Sequence, residues 1–112
     1  MRAAVLTVIC SSLGLAAFIV PASAQGVGLD GLHDKRQEGS RICMADHFHD
    51  GSGNGKTRKA AESDAARAWS DFTAWEYGGA WGSFGNAVGK SVSCGLTGGG
   101  WGCDVNARPC RR

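Results

Sequence analysis

The first twenty-four residues constrain everything that follows them. Met1 and Arg2 form a short positive start, residues 3–20 are almost wholly apolar, and Pro21-Ala22-Ser23-Ala24 places small residues where a signal peptidase reads them. This pattern predicts a secretory signal peptide cleaved after Ala24, a periplasmic or secreted destination, and no membrane span after cleavage. Residues 25–112 then carry four cysteines, Cys43, Cys94, Cys103 and Cys110. Burial stabilises so small a domain only marginally, whereas a disulfide closing a long loop contributes about 2–4 kcal/mol. An even cysteine count in an oxidising compartment therefore predicts two disulfides, and the lack of a C-x2-C pair argues against a thiolate zinc site.

Residues 25–39 mix Gly, Asp, Lys, Arg, Gln and Glu with isolated apolar residues, which predicts a flexible leader before a single small domain at residues 40–112. Ile42, Met44 and Phe48 share one parity and Cys43, Ala45, His47 and His49 the other, as in a short extended segment. The glycines and Asx residues of 50–55 predict a loop. From Thr57 to about Tyr77 there is no Gly or Pro, and Gly78-Gly79 supplies a stop, so a helix is expected. Its core face reads as Ala61, Ala65, Ala68, Phe72 and Trp75, with Trp69 and Glu76 at the margin. Arg58/Glu62 and Arg67/Asp71 are spaced for surface ion pairs. Residues 78–90 predict a turn and an irregular strand.

Val92, Cys94 and Leu96 alternate before Gly98-Gly99, and Trp101, Cys103 and Val105 alternate after it, the pattern of a hairpin. Folding at the two glycines pairs Leu96 with Trp101, Cys94 with Cys103 and Val92 with Val105, giving one apolar face. Cys94 and Cys103 then meet at a non-hydrogen-bonded position, where side chains are closest. Cys43 is left for Cys110, although four cysteines allow three connectivities. The expected fold is α+β: one amphipathic helix, with Phe72 and Trp75 inward, packed on a small antiparallel sheet with a C-terminal β-hairpin, disulfide-stapled.

Twelve Lys and Arg against ten Asp and Glu, scattered along the chain, exclude charge-driven nucleic-acid binding. Residues 50–57 nearly spell a phosphate-binding loop, but Asp50 stands where its first glycine should be. They also resemble a calcium loop, with Asp50, Ser52 and Asn54 alternating before Gly55. Ala61 occupies the position of the bidentate carboxylate, and Lys56, Arg58 and Lys59 oppose a cation. Asp46-His47-Phe48-His49-Asp50 is the better metal candidate, because H-x-H in an extended segment points both imidazoles to one side. Zn²⁺ or Cu²⁺ at His47 and His49, helped by Asp46 and Asp50, needs a third donor from His33 or a carboxylate. No other cofactor is expected. Among the aromatic residues, Trp81, Tyr77 and Trp69 are candidates for a binding patch for polysaccharide or protein, with Trp75 and Trp101 assigned to the core. A minimal hydrolase would need Glu76 buried beside an imidazole.

Three segments, CMADHFHDGSG at 43–53, WSDFTAWEYGGAW at 69–81 and SCGLTGGGWGCDVNARPC at 93–110, resemble a group of small exported proteins of alphaproteobacteria. The resemblance implies bacterial export and a disulfide-bearing domain, and transfers no catalytic residue. The expectation is therefore a non-enzymatic exported protein that binds an envelope component, polysaccharide or protein. The alternative is a small periplasmic metal-binding protein using His47 and His49.

Overall fold

The computed structural model describes residues 28–112; the expected signal peptide lies outside them. Among the described residues six strands and one long helix form an α+β fold. The strands are β1 (Lys35–Glu38), β2 (Arg41–Met44), β3 (His49–Gly55), β4 (Val88–Thr97), β5 (Gly100–Arg108) and β6 (Cys110–Arg111), with α1 (Arg58–Tyr77) between β3 and β4. They make two antiparallel three-stranded sheets, ordered β1-β2-β6 and β3-β5-β4. Among the described residues no helix is long and apolar enough to cross a membrane.

The hairpin of β4 and β5 has the expected register, with Leu96 opposite Trp101, Cys94 opposite Cys103 and Val92 opposite Val105. Cys94–Cys103 and Cys43–Cys110 are the two disulfides, and each links directly opposed residues of neighbouring strands. The first holds the hairpin. The second joins β2 to the chain's last strand.

Residues 50–55 are not a loop. They form the body of β3, with buried glycines alternating with outward polar side chains. Ser52 donates to Asp104 and Asp50 accepts from Asn106 Nδ2 at 2.7 Å, so these polar groups are spent on β5 rather than gathered around an ion or phosphate. The inward glycines let α1 lie directly on the strand. A Cβ on Gly51 would stand 2.6 Å from the Trp69 backbone nitrogen, one on Gly53 2.6 Å from the Asp64 carbonyl carbon, and one on Gly55 2.7 Å from the Ala61 nitrogen. No side chain fits in those gaps.

This close approach also corrects the helix face. Thr57 caps α1 by accepting from the Ala60 N–H at 3.1 Å, and Gly78, at φ 105°, ends it. The buried line is Ala61, Ala65, Trp69, Thr73 and Tyr77, one residue every fourth position. Phe72 and Trp75, expected in the core, are 45% and 60% exposed. Alanines face the glycine column where the backbones are nearest, and the Trp69 ring fills the space beyond it, beside Phe84. Arg58 pairs with Glu62 as expected, while Arg67 turns back to Asp64 instead of Asp71. Because α1 sits over β3 and β5, the hairpin's apolar face is covered only in part, and Leu96 on β4 is 78% exposed.

The smaller sheet includes residues expected to be unstructured. Lys35–Glu38 pair with β2, so the leader is ordered structure from β1 onward, with a 3-10 turn at Leu29–Leu32 ahead of it. Charge rather than apolar burial holds this strand: the Arg108 guanidinium grips the Glu38 carboxylate at 2.8 and 3.1 Å and donates to the Met44 carbonyl at 2.6 Å. The guanidinium keeps the Glu38 carboxyl below the usual carboxylate range. Residues 78–90 form two 3-10 turns, at Gly79–Trp81 and Phe84–Asn86, before β4 begins at Val88.

Candidate metal centre

One backbone hydrogen bond extends the β1–β2 ladder past its last rung: the Ala45 N–H donates to the Asp34 carbonyl at 2.8 Å. It holds His33 and His47 side by side, with ring centroids 4.2 Å apart. The chain then enters β3 at His49, whose ring lies 5.0 Å from His47 and is buried against α1. Trp69 Nε1 donates to the His49 carbonyl at 2.9 Å and anchors this end of the strand to the helix. All three histidines of the chain thus stand in one cluster.

The last turn of α1 completes it. Glu76 Oε2 lies 2.9 Å from His49 Nε2, Thr73 Oγ1 lies 2.9 Å from Nδ1, and the Tyr77 hydroxyl lies 3.2 Å from Nε2. A carboxylate oxygen at that distance requires a proton on Nε2. Burial holds the His49 pKa below the ordinary imidazole value, against the upward pull of the Glu76 charge, which favours the neutral ring. Nε2–H then donates to Glu76, while the Thr73 hydroxyl lies between Nδ1 and the Trp69 carbonyl, to which it donates at 2.7 Å. Burial raises the Tyr77 phenol well above its ordinary pKa, so it stays protonated. His49 therefore acts as a clamp on Glu76.

Clamped in this way, Glu76 offers a carboxylate oxygen to the other two histidines. A nitrogen of His33, a nitrogen of His47 and an oxygen of Glu76 all lie within 4.8 Å of one another. Donors about 2.0–2.2 Å from one Zn²⁺ stand about 3–3.5 Å apart, so small rotations of half-buried side chains would close the set. Two imidazoles and one carboxylate suit Zn²⁺, Cu²⁺ and related divalent ions. Among the described residues the other two groupings of this kind, around Glu38 and Glu62, use sulfurs already committed to the disulfides.

Of the residues singled out by H-x-H, His47 belongs to this triad and His49 stands behind it. Asp46 lines a cavity of about 260 Å³ beside His33 and His47, together with Leu32 and Asp34. Asp50 lies on the opposite face of β3, bonded to Asn106, and is not part of the cluster. His33, expected in the leader and named with a carboxylate as a possible third donor, and Glu76, expected at the helix margin, supply the other two donors. Thr73 was the available clue: a polar side chain in an otherwise apolar i, i+4 line marks a buried group that needs a partner.

The proposed aromatic patch is corrected. Trp69, Tyr77 and Trp81 are all buried, Trp81 among glycines at 2% exposure. It packs with Tyr77 and Met44, and Lys35 and Arg111 lie over its ring at 5.9 and 5.3 Å.

Fold and site together define a disulfide-stapled α+β protein with a histidine–carboxylate cluster where its small sheet meets its helix. No protein-family model, curated protein or solved structure matches the chain.

Proposed function

We propose that this is an exported metal-binding protein that holds one divalent transition-metal ion, Zn²⁺ or Cu²⁺, between His33, His47 and Glu76. The observation that carries the reading is the convergence of these three donors from separate parts of the chain, with a buried imidazole orienting the carboxylate. Such outer partners are a regular feature of metal sites, because they fix a ligand's orientation. Export is supported by the N-terminal pattern and by two disulfides, which persist in oxidising compartments. Glu76 beside an imidazole also meets the condition set for a minimal hydrolase. However, Thr73, the hydroxyl at that imidazole, is buried and donates to the Trp69 carbonyl, so the pair is better explained as a ligand clamp.

The test is thermal unfolding of the oxidised protein with Zn²⁺, Cu²⁺ or EDTA. Ion at 100 times its dissociation constant should add about 2.7 kcal/mol, raising the midpoint by about 10–20 °C. His33→Ala/His47→Ala should abolish the shift. No shift with either ion would sink the proposal.

A second reading, binding of an envelope polysaccharide or protein, now rests on Phe72 and Trp75. Their exposed rings lie 6.0 Å apart and tilted by 30° on the outer face of α1.

A further inference from the structure

The donor set has an inner and an outer side. On the inner side Glu76 is largely covered, and His49 and Tyr77 stand behind it. His49 lies outside the group of atoms that share the 4.8 Å separation, and both its ring nitrogens are engaged, by Glu76 and Thr73. It is a positioning residue rather than a fourth donor. On the outer side His33 and His47 border the cavity of about 260 Å³. Water in the liquid takes about 30 Å³ per molecule, so this space holds several waters or one small ring.

We infer that an ion bound by His33, His47 and Glu76 keeps an exchangeable coordination position that opens onto this cavity, and that the position takes a neutral nitrogen donor in preference to an anion. The inference rests on the metal-binding reading above. Three protein donors leave at least one position open on a four-coordinate ion. The other polar residues lining the cavity besides the two ligands are two acids, Asp34 and Asp46. Anionic ligands meet like charge there, in addition to the charge that Glu76 already contributes. An imidazole or amine coordinates through its lone pair and can donate its N–H groups to the same carboxylates. The ligand class is thus a small amine or an imidazole, including a histidine side chain of another protein.

The test uses the oxidised protein loaded with Co²⁺ or Cu²⁺, titrated with imidazole and with azide and followed by its visible spectrum. Imidazole should shift the spectrum saturably at a concentration at least tenfold below that at which azide does. Asp34→Asn/Asp46→Asn should narrow that gap at least threefold. His49→Gln should weaken metal binding about 10- to 100-fold while the Cu²⁺ resonance spectrum still shows two histidine nitrogens. Because His49 is buried, Thr73→Val provides a milder variant, and it should weaken binding in the same direction. A spectrum indifferent to both probes, or three histidine nitrogens on Cu²⁺, means a closed site with His49 as a donor and overturns the inference while leaving the metal reading intact. Azide binding as tightly as imidazole also overturns it. Failure to take up any ion overturns the metal reading itself, and the inference with it.

Discussion

The two halves of the molecule bury their interiors by opposite means. Where α1 crosses β3, the contact is made of glycine and alanine and the two backbones nearly touch. Where the end of the same helix meets the start of β3, the interior holds an imidazole, a hydroxyl, a phenol and a carboxylate, each bonded to another. The first region has no room for size, and the second has little tolerance for unpaired charge. A chain this small thus keeps one rigid contact and sets a polar cluster at its edge.

Adding a methyl group should break the first region. Gly53→Ala drives a Cβ into the Ala65 backbone, which cannot move without lifting the helix off the sheet. We expect a loss of several kcal/mol, enough to leave little folded protein, seen as lost helical circular dichroism. Gly99→Ala at the hairpin tip, where a Cβ meets nothing within 4 Å, is the control and should change stability by less than about 0.5 kcal/mol. Equal effects at the two positions would show that the helix is not seated as described.

The disulfides divide in the same way, one in each half. Cys43–Cys110 spans 67 positions and Cys94–Cys103 only 9. Loop-closure entropy assigns about 4 kcal/mol to the first and about 3 kcal/mol to the second. Paired serine substitutions, compared by urea denaturation, should therefore rank Cys43→Ser/Cys110→Ser as the more damaging. That variant should also lose metal-dependent stabilisation, because the bridge secures β2, which leads into His47. The reverse ranking would mean that the hairpin alone organises the fold.

These differences explain what could be read before the structure. The hairpin register, the helix limits and the Cys94–Cys103 pairing follow from local alternation, caps and turn residues, and Cys43–Cys110 follows by elimination once that pairing is chosen; all carry over directly. β3 was missed because glycines that admit a helix look the same as glycines that make a loop; only the partner segment decides. The helix face was misjudged for the same reason, since the glycine column on β3 selects the Ala61–Tyr77 line over the more apolar line through Phe72 and Trp75. H-x-H pointed to His47 and His49, but their roles depend on Glu76 and His33, which the fold brings in from α1 and from ahead of β1.

The smallest predicted effect tests the polar half by adding a proton. Burial lowers the pKa of His49 in the folded state below the value of about 6.5 expected in the unfolded chain. As the pH falls through about 6.5, the unfolded chain takes up a proton that the folded protein refuses, so stability declines until the folded-state pKa is reached. The slope from this residue is at most about 1.4 kcal/mol per pH unit. Glu38 and Asp64 contribute in a separate, more acidic window, because their partners depress carboxyl pKa values and that stabilisation is lost only as those carboxylates protonate. Unfolding midpoints measured in EDTA from pH 8 to pH 5 should fall for the native chain and flatten for His49→Gln, whose amide can still donate to Glu76 but does not titrate. An unchanged slope in that variant would place the proton elsewhere and remove the case for a neutral imidazole holding the carboxylate in place.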